Sequence, residues 1–342
     1  MSEVYPGRQK IPALLFRAVA FICAPGAGTF VTSLRRRQRI ALLSGVLCAL
    51  IGVAPTAARA QQMDPRSYAN VPIDLNFLLA GYAYSWGDVV FDPSVPITNA
   101  DAKVNAVYLG YIRSLDFWGQ SGTLGLVLPY ASVSGHGTVE GQTNSIVRSG
   151  FSDTTLRLSV NLYGAPALSL PEFRSYRQDL IVGASLLITA PTGMYYPDKV
   201  VNIGTNRWSF KPEVGISKAL GNWTLEGALG LTFYTDNDEF YPGNAVREQD
   251  PLYAAQAHLI YNFSPALWGS LDATYYTGGS TTINGVPKAD LQQNARWGAT
   301  ASQALDRNNS VKFYLGTGAI VRAGTKFNTV GLVWQYRWGA EL

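Results

Sequence analysis

The sequence predicts an all-β fold: a transmembrane, antiparallel, up-and-down β-barrel of about 12 strands with both termini in the periplasm. Three observations lead to this prediction. The chain of 342 residues is 47% hydrophobic but only 15% charged, whereas a soluble domain typically has about 25% charged residues. Short segments alternate between apolar and polar residues, which is the pattern of strands with two different faces. Beyond residue 60, no apolar run approaches the roughly 20 residues of a membrane-spanning helix.

The first 60 residues have the features of an export leader. The basic cluster Arg35–Arg39 precedes the apolar run Ile40–Val53, and Ala58–Ala60 supplies small residues before a cleavage site at Gln61. A transmembrane anchor is the alternative, but the run is shorter than the roughly 20 residues that an anchor needs. The sequence therefore predicts a cleaved signal peptide at 1–60, a short periplasmic N-terminal segment at 61–72 and an outer-membrane β-barrel at 73–342.

The charge and cysteine content of the chain change once the leader is set aside. The leader holds eight of the 27 basic residues and one of the 23 acidic residues, so the rest has 19 bases, 22 acids and a net charge of −3. The excess of basic residues thus gives no support to nucleic-acid binding. Both cysteines, Cys23 and Cys48, also lie in the leader. The exported chain therefore has no disulfide framework and no thiol catalyst.

The strands are predicted from alternation. In Thr224–Tyr234, for example, Leu225, Leu229 and Phe233 lie on one face and Glu226 lies on the other. Similar segments occur throughout the chain after the leader. The predicted strands are 75–86, 103–113, 122–132, 153–162, 179–190, 208–216, 224–234, 253–263, 267–276, two that begin near 296 and 312, and 327–338.

The connections between these strands alternate in length. Short turns are predicted at 219–222, 264–266 and 306–309, and long polar loops at 87–102, 134–149, 191–206, 236–250 and 278–291. Short turns at one end and long loops at the other are typical of outer-membrane barrels, which have an even number of strands and periplasmic turns. The connection at 164–178 is longer than this plan requires, so a small periplasmic helix or cap is predicted there.

The tryptophans mark the expected edges of the membrane. Outer-membrane barrels carry aromatic girdles at both interfaces. Trp118, Trp223, Trp268 and Trp338 are assigned to the periplasmic girdle, and Trp86 and Trp208 to the outer one. The apolar faces then contact lipid, and the last strand pairs with the first near Phe77. A secreted β-sandwich or lipocalin-like barrel is the alternative, but its outer face would carry more charged residues than these strands have.

A set of charged residues falls on the polar faces and is assigned to the lumen. Charges next to a low-dielectric wall need partners or water. They either select solutes or brace and partly close a narrow barrel, and both possibilities stay open. Lys211 with Glu226, and His258 with Asp272, are the first pairs expected. The assigned residues are Arg157, Lys211, Glu213, Glu226, His258, Asp272, Arg296, Lys312 and Arg337.

Catalysis has little support in the sequence. The chain has two histidines, and a barrel lipase would need a serine–histidine pair with an orienting partner. Neither a Gly-rich phosphate loop nor a Cys/His metal spacing occurs, so no cofactor and no metal are predicted. Asp236, Asp238 and Glu239 form an acidic cluster, for which a solvated loop is favoured over a calcium site.

Seven motifs occur in order along the chain and carry a family resemblance. They are "GFSDTTLRL" (150–158), "APTGMYYPD" (190–198), "NIGTNRWSFKPEVGISKALGNWTLE" (202–226), "YTDNDEF" (234–240), "REQDPLY" (247–253), "LDATYYTGG" (271–279) and "GLVWQYRW" (331–338). Together they resemble the meta-pathway phenol-degradation transporter family of bacterial outer-membrane β-barrel proteins, over most of residues 70–338. The resemblance implies a barrel that passes aromatic or other hydrophobic small molecules, and it supplies no catalytic residues. The residues 339–342 depart from the usual ending on an aromatic, which the outer-membrane assembly machinery reads.

The sequence thus favours a passive outer-membrane channel for small hydrophobic or aromatic solutes. The alternatives are a structural or interaction barrel whose lumen is closed by ion pairs and, less favoured, an outer-membrane enzyme. The expected partners are outer-membrane lipid and lipopolysaccharide, the assembly machinery and the solute, and no nucleic acid.

Overall fold

The computed structural model describes residues 64–88, 97–139, 142–199, 201–322 and 326–340. The predicted leader and its cleavage site lie outside the described residues and stay predictions. Among the described residues, no helix is long and apolar enough to cross a membrane.

The described chain consists almost entirely of antiparallel strands, with one short helix. The strands are β1 (Leu75–Asp88), β2 (Ile97–Phe117), β3 (Gln120–Val139), β4 (Gln142–Phe151), β5 (Thr154–Tyr163), β6 (Leu180–Ala190), β7 (Ser209–Leu220), β8 (Trp223–Tyr234), β9 (Asn237–Phe240), β10 (Ala245–Gln249), β11 (Leu252–Ser264), β12 (Leu267–Gly278), β13 (Thr281–Ile283), β14 (Val286–Pro287), β15 (Gln292–Ala304), β16 (Asn309–Val321) and β17 (Lys326–Gly339). The helix is α1 (Leu170–Phe173).

Twelve of these strands form a closed barrel, as the sequence predicts. The order around the barrel is β1, β2, β3, β5, β6, β7, β8, β11, β12, β15, β16 and β17, and β17 pairs back with β1. In this closing pair Phe77 lies opposite Arg337, which confirms the predicted register. Because the barrel is closed, each strand has a hydrogen-bonding neighbour on both sides. The backbone N–H and C=O groups are then satisfied within the protein, as is necessary in a hydrocarbon environment that offers no water.

The two faces of the barrel wall have opposite character. Leu229, Leu271 and Leu332 are 64%, 57% and 53% exposed on the outer face. Their neighbours on the inner face are small or polar and mostly buried, as Asp272 and Glu226 illustrate. Side chains alternate between faces along a strand, so one wall presents an apolar surface to lipid and a polar surface to the lumen.

The barrel has a short-turn end and a long-loop end. At the short-turn end, residues 118–119, 221–222, 265–266 and 305–308 connect neighbouring strands, and β1 begins where β17 ends. The longer connection, predicted at 164–178 and observed at 164–179, contains α1, which confirms the predicted small helix. Its N-terminus is capped by Ser169, whose backbone N–H and hydroxyl both donate to Glu172 Oε2, at 2.9 and 2.6 Å.

Four of the five connections predicted as long loops contain strands, so this part of the prediction is wrong. β2 and β3 continue beyond the barrel rim, and β4 pairs with the outer half of β3 in a hairpin. A separate four-stranded sheet is formed by β9, β10, β13 and β14. The outer part of β3 and β4 is rich in Ser, Thr, Gly and Asn, and β9, β10, β13 and β14 have only two to five residues each, so alternation gives no clear signal for them.

Candidate functional site

The interior of the barrel contains a cavity of about 560 Å³. Part of its wall is aliphatic, with Leu79, Val127 and Leu252 among its members. Four tyrosines also line it: Tyr108, Tyr234, Tyr276 and Tyr314. Its charged lining residues are Asp64, Arg157, Lys211, Asp272, Arg296 and Lys312. The cavity is therefore a mixed site, with an apolar and aromatic wall and several basic groups.

Residues 64–70, part of the N-terminal segment predicted at 61–72, lie inside the barrel. Asp64 and Pro65 line the cavity, and Tyr68 is only 2% exposed. Asn70 donates from Nδ2 to the carbonyl of Pro166 at 3.2 Å, near the short-turn end. We call Asp64–Asn70 the N-terminal plug, because these residues run inside the barrel from the cavity towards the short-turn end. We call the side of the cavity nearer the short-turn end its lower end.

Tyr68 anchors the plug against two strands. Its ring lies against Gly183 of β6 and Gly215 of β7, where a Cβ atom on either glycine would overlap the ring. Its hydroxyl donates to Glu213 Oε1 at 3.0 Å. Burial raises the pKa of Tyr68 to about 12, so the hydroxyl stays protonated as a donor. The inward-facing glycines are the only sequence signal that could have indicated a ring at this position.

Asp64 and Glu213 hold three basic side chains at the lower end of the cavity. Glu213 accepts from Lys211 Nζ at 2.7 Å and from Arg157 at 3.3 Å. Asp64 lies 3.6 Å from Arg157 and 3.3 Å from Lys312. Burial alone would raise the pKa of Asp64, but the nearby Lys312 and Arg157 lower it below its ordinary value. We call these five residues the ion-pair network.

Glu226 bonds the plug and does not bond Lys211, so the predicted Lys211–Glu226 pair is wrong. Glu226 Oε2 accepts from the backbone N–H of Arg66 at 2.7 Å, and Oε1 accepts from Ser217 at 2.9 Å. Lys211 instead bonds Glu213, two residues further along its own strand. Residues at i and i+2 share a face of a strand, so this pair is available without any partner strand.

The predicted His258–Asp272 pair is confirmed. The two residues lie opposite each other on β11 and β12, with 2.7 Å between Nδ1 and Oδ1. The other carboxylate oxygen accepts from Ser270 at 3.2 Å and from Thr300 at 2.9 Å. Both members of the pair are nearly inaccessible, with side-chain exposures of 5% and 1%. The carboxylate thus holds the ring in a fixed orientation.

The remaining predicted lumen residues divide between the cavity and the barrel end. Arg296 is 8% exposed and lines the cavity near Tyr276. Lys312 also lines it. Arg337 lies elsewhere: its Nε donates to the carbonyl of Arg307 at 2.6 Å, in the turn between β15 and β16. Arg337 therefore braces the short-turn end and is not part of the cavity wall.

Five of the six predicted girdle tryptophans lie on the outer surface or its turns. Trp118 is 94% exposed in the turn between β2 and β3, and Trp338 stacks on Tyr336 with ring centroids 5.7 Å apart. At the long-loop end Trp208 stacks on Phe210. The other two outward-facing tryptophans are Trp86, which stacks on Tyr84, and Trp223, which contacts Tyr261.

Trp268 is the exception, and its assignment to the girdle is wrong. It shares the inward face of β12 with Ser270 and Asp272, and the guanidinium carbon of Arg66 lies 4.7 Å from its ring centroid. Alternation already places position 268 on the same face as position 270, so the sequence contained the signal. Trp268 therefore holds the plug by a cation–π contact.

Two cavity tyrosines were not singled out from the sequence. Tyr108 lies flat over Gly81 of β1, and Tyr314 lies flat over Gly331 of β17, each across from its glycine in the strand register. Their hydroxyls are hydrogen-bonded to each other. The pair thus covers, from the inside, the seam at which the first and last strands meet. A glycine facing a tyrosine on the next strand is a pairing that sequence alone shows only after the register is known.

The fold resembles those of solved outer-membrane proteins. The COG4313 outer membrane channel from Pseudomonas putida F1 has a TM-score of 0.69 at 24% identity, covering 81% of this chain and 100% of that one. The β domain of the Bordetella autotransporter BrkA has a TM-score of 0.45 at 11% identity, with coverage of 78% and 99%. No curated protein matches the sequence. The first likeness confirms the fold, and a closed barrel with an apolar outer face belongs in the bacterial outer membrane.

A family match covers most of the barrel. Residues 87–336 match the family described as "Putative MetA-pathway of phenol degradation". This range runs from the end of β1 into β17. It includes all the cavity-lining residues except Asp64, Pro65 and Leu79. It confirms the resemblance that the seven sequence motifs indicate. The chain therefore belongs to the family of the MetA pathway of phenol degradation.

Proposed function

We propose that this protein is a passive outer-membrane channel for small apolar solutes, aromatic ones in particular. The cavity carries this proposal. Its volume of about 560 Å³ exceeds the roughly 150 Å³ in which a buried apolar cavity holds benzene. Tyrosine rings and aliphatic side chains line it, and such walls favour aromatic ligands. The family description and the channel from Pseudomonas putida agree with this function.

The short-turn end faces the periplasm in this proposal. Short turns are periplasmic in outer-membrane barrels, and β1 begins and β17 ends at this end. Trp223 and Trp338 would then lie near the lipid headgroups of the inner leaflet, and Trp86 and Trp208 near lipopolysaccharide. The aromatic end of β17 would be the segment that the outer-membrane assembly machinery recognises.

A closed structural barrel is the second candidate, and the N-terminal plug favours it. The plug is held by Glu213, Glu226 and the ion-pair network, so the lower part of the lumen is filled. A permanently fixed plug would leave the barrel without a through path. Conductance and solute uptake distinguish a fixed plug from one that lets solutes pass.

Enzymatic activity is not part of the proposed function. A serine hydrolase needs the serine hydroxyl to bond the imidazole. Here Ser270 donates to Asp272 instead, and the His258 ring is held on the same carboxylate. The outer membrane channel from Pseudomonas putida, which this fold resembles, agrees with a non-enzymatic barrel.

Filling the cavity tests the proposal. Ala254 faces the lumen and lines the cavity, whereas its neighbour Ala255 lies on the opposite face of β11. In cells that depend on this protein, we expect Ala254→Trp to lower the initial rate of uptake of radiolabelled toluene supplied at low concentration. Ala255→Trp, the matched control, adds the same side chain on the lipid side and should leave uptake unchanged.

Folding is checked separately, because a misfolded barrel would also fail to transport. Both variants should keep the heat-modifiable gel mobility of a folded barrel. Equal uptake by the wild type, by Ala254→Trp and by cells without the protein would overturn the channel proposal. A barrel that also shows no conductance in a planar bilayer would then favour the closed structural role.

A further inference from the structure

The lower end of the cavity has an excess of positive charge. In the ion-pair network, three cations, Arg157, Lys211 and Lys312, face two carboxylates, Asp64 and Glu213. Each carboxylate is shared by two cations, and the network contains no third carboxylate. One of its three positive charges is therefore not balanced within the network. A buried charge without a full counter-charge is costly, and an anion that reaches it is bound favourably.

Glu213 has no capacity left to accept further donors. An ionised carboxylate offers about four acceptor positions. Tyr68, Arg157, Lys211 and Gln256 all donate to Glu213, at 3.0, 3.3, 2.7 and 2.9 Å. The ammonium of Lys211, by contrast, has three donor hydrogens. It lines the cavity with a side chain that is 19% exposed.

The other charged groups of the described interior do not remove this excess. Arg66 lies near Glu226, whose carboxylate it meets through its backbone N–H. Asp272 is paired with His258, and Arg296 lines the same cavity. Beside the network, Arg66 and Arg296 thus add two cations, and Glu226 and Asp272 add two carboxylates.

The upper part of the same cavity suits an apolar body. Leu252 and the tyrosines form this part of the wall, and Leu187, which lies between Arg157 and Lys211 in the strand register, connects it to the charged end. The cavity holds considerably more than one aromatic ring, for which roughly 150 Å³ suffices. A ligand with a ring and a short charged substituent would thus place the two parts against matching walls.

We propose that the lumen cavity is a binding site for a small amphipathic monoanion, an aromatic carboxylate, whose head contacts Lys211 and whose ring lies against the tyrosine and leucine wall. The inference rests on the proposed channel function and names the class of solute that the channel prefers. Hydrogen bonds between a charged donor and a carboxylate are roughly twice as strong as neutral ones, so the head group decides the preference.

Three probes that share one ring system test this proposal. They are 2-naphthoate, 2-naphthylmethanol and 2-naphthylmethylammonium, measured at neutral pH by equilibrium dialysis against the full barrel in lipid nanodiscs, with empty nanodiscs as the blank. We expect 2-naphthoate to bind about tenfold more tightly than the alcohol, since a bond between charged groups contributes one power of ten in affinity or more. The ammonium probe should bind most weakly.

Substitutions on one strand provide the matched comparison. Lys211→Met keeps the length of the side chain and leaves two cations against two carboxylates, so it should remove the preference for naphthoate. Lys211→Arg should retain it. Lys218→Met removes a lysine at the other end of β7, where Lys218 pairs with Asp179 outside the cavity, and should change nothing.

The outcomes separate this inference from the channel proposal. Equal binding of naphthoate and the alcohol, or a preference that survives Lys211→Met, would overturn the anion site while leaving a channel for neutral solutes intact. If none of the three probes binds above the blank and cells with and without the protein take up toluene equally, the channel function itself fails.

Discussion

The hydroxyl of Tyr68, seven residues before the first strand, donates a hydrogen bond to Glu213 Oε1 on β7 at 3.0 Å. The same carboxylate bonds Lys211 and Arg157, so the plug and the charged wall of the cavity share one residue. The Tyr68 ring fits only because Gly183 and Gly215 leave the space for it. Docking of the plug and the charge of the cavity are therefore coupled.

A side chain at Gly215 should displace the plug. Its Cβ would overlap the Tyr68 ring, so we expect Gly215→Val to release residues 64–70 and raise single-channel conductance in a planar bilayer. Gly227→Val is the control, because its Cβ would have ordinary contact distances, with the nearest atom at 3.7 Å. Unchanged conductance in Gly215→Val, with the barrel folded, would contradict a displaceable plug.

Docking of the plug should weaken at alkaline pH through Tyr68. Burial raises the pKa of its hydroxyl from 10.0 to about 12. A group whose pKa is raised in the docked state stabilises docking fully below its undocked pKa. This stabilisation is lost as the pH rises through the docked pKa. We expect conductance to increase between pH 10 and 12. Tyr68→Phe cannot ionise, so it should show a smaller alkaline increase than the wild type while having higher conductance at neutral pH.

Acid should loosen the plug through Asp64. Lys312 and Arg157 lower the pKa of this carboxyl below its ordinary value of 3.8, although burial opposes the shift. A group with a lowered pKa contributes fully above its undocked pKa, and the contribution is lost as the pH falls through the docked value. We expect single-channel conductance in a planar bilayer to rise as the pH falls below 3.8. Asp64→Asn should show higher conductance than the wild type already at neutral pH, and equal conductance of both proteins there would contradict this role.

The barrel itself could be predicted from sequence because its wall separates two solvents. In β8, Leu229 faces lipid and Glu226 faces the lumen, and that contrast repeats with period two along each spanning strand. The hairpin of β3 and β4 above the rim has water on both sides, so no such contrast marks it. The closing register near Phe77 followed from the need to pair the first and last strands.

The site was only partly predictable, and the reason is sequence distance. His258 and Asp272 lie on consecutive strands joined by a short turn, which fixes their register. Tyr68 reaches Glu213 across 145 residues, and nothing in a short plug without periodicity indicates which strands it contacts. Lys211 has two possible partners, Glu213 on its own strand and Glu226 on the adjacent strand β8. The register of β7 and β8 places Glu226 opposite Ser217, and the alternation pattern does not reveal this register.

The loop between β6 and β7 depends on one buried carboxylate. Asp153, 6% exposed, accepts from Gly193 N at 2.9 Å and from the backbone and hydroxyl of Thr205 at 2.8 and 2.6 Å. Its removal leaves these donors unsatisfied, at a cost of about 1–3 kcal/mol. We expect Asp153→Ala to speed trypsin cleavage after Lys199 about tenfold. Lowering the free energy of loop opening by about 1.4 kcal/mol raises the population of the open loop by that factor. Asp238→Ala, an exposed acid on β9, is the control, and equal cleavage of both variants would contradict the role of Asp153.

The buried His258–Asp272 pair offers the clearest test of interior electrostatics. Removing one partner of a buried ion pair typically costs about 3–5 kcal/mol, because the other is left uncompensated. We expect His258→Leu or Asp272→Leu alone to lower the free energy of unfolding of the refolded barrel in urea by about that amount. The double variant should recover most of the loss, since replacing both partners by apolar groups is often neutral. Additive losses in the double-mutant cycle would show that the two side chains act independently.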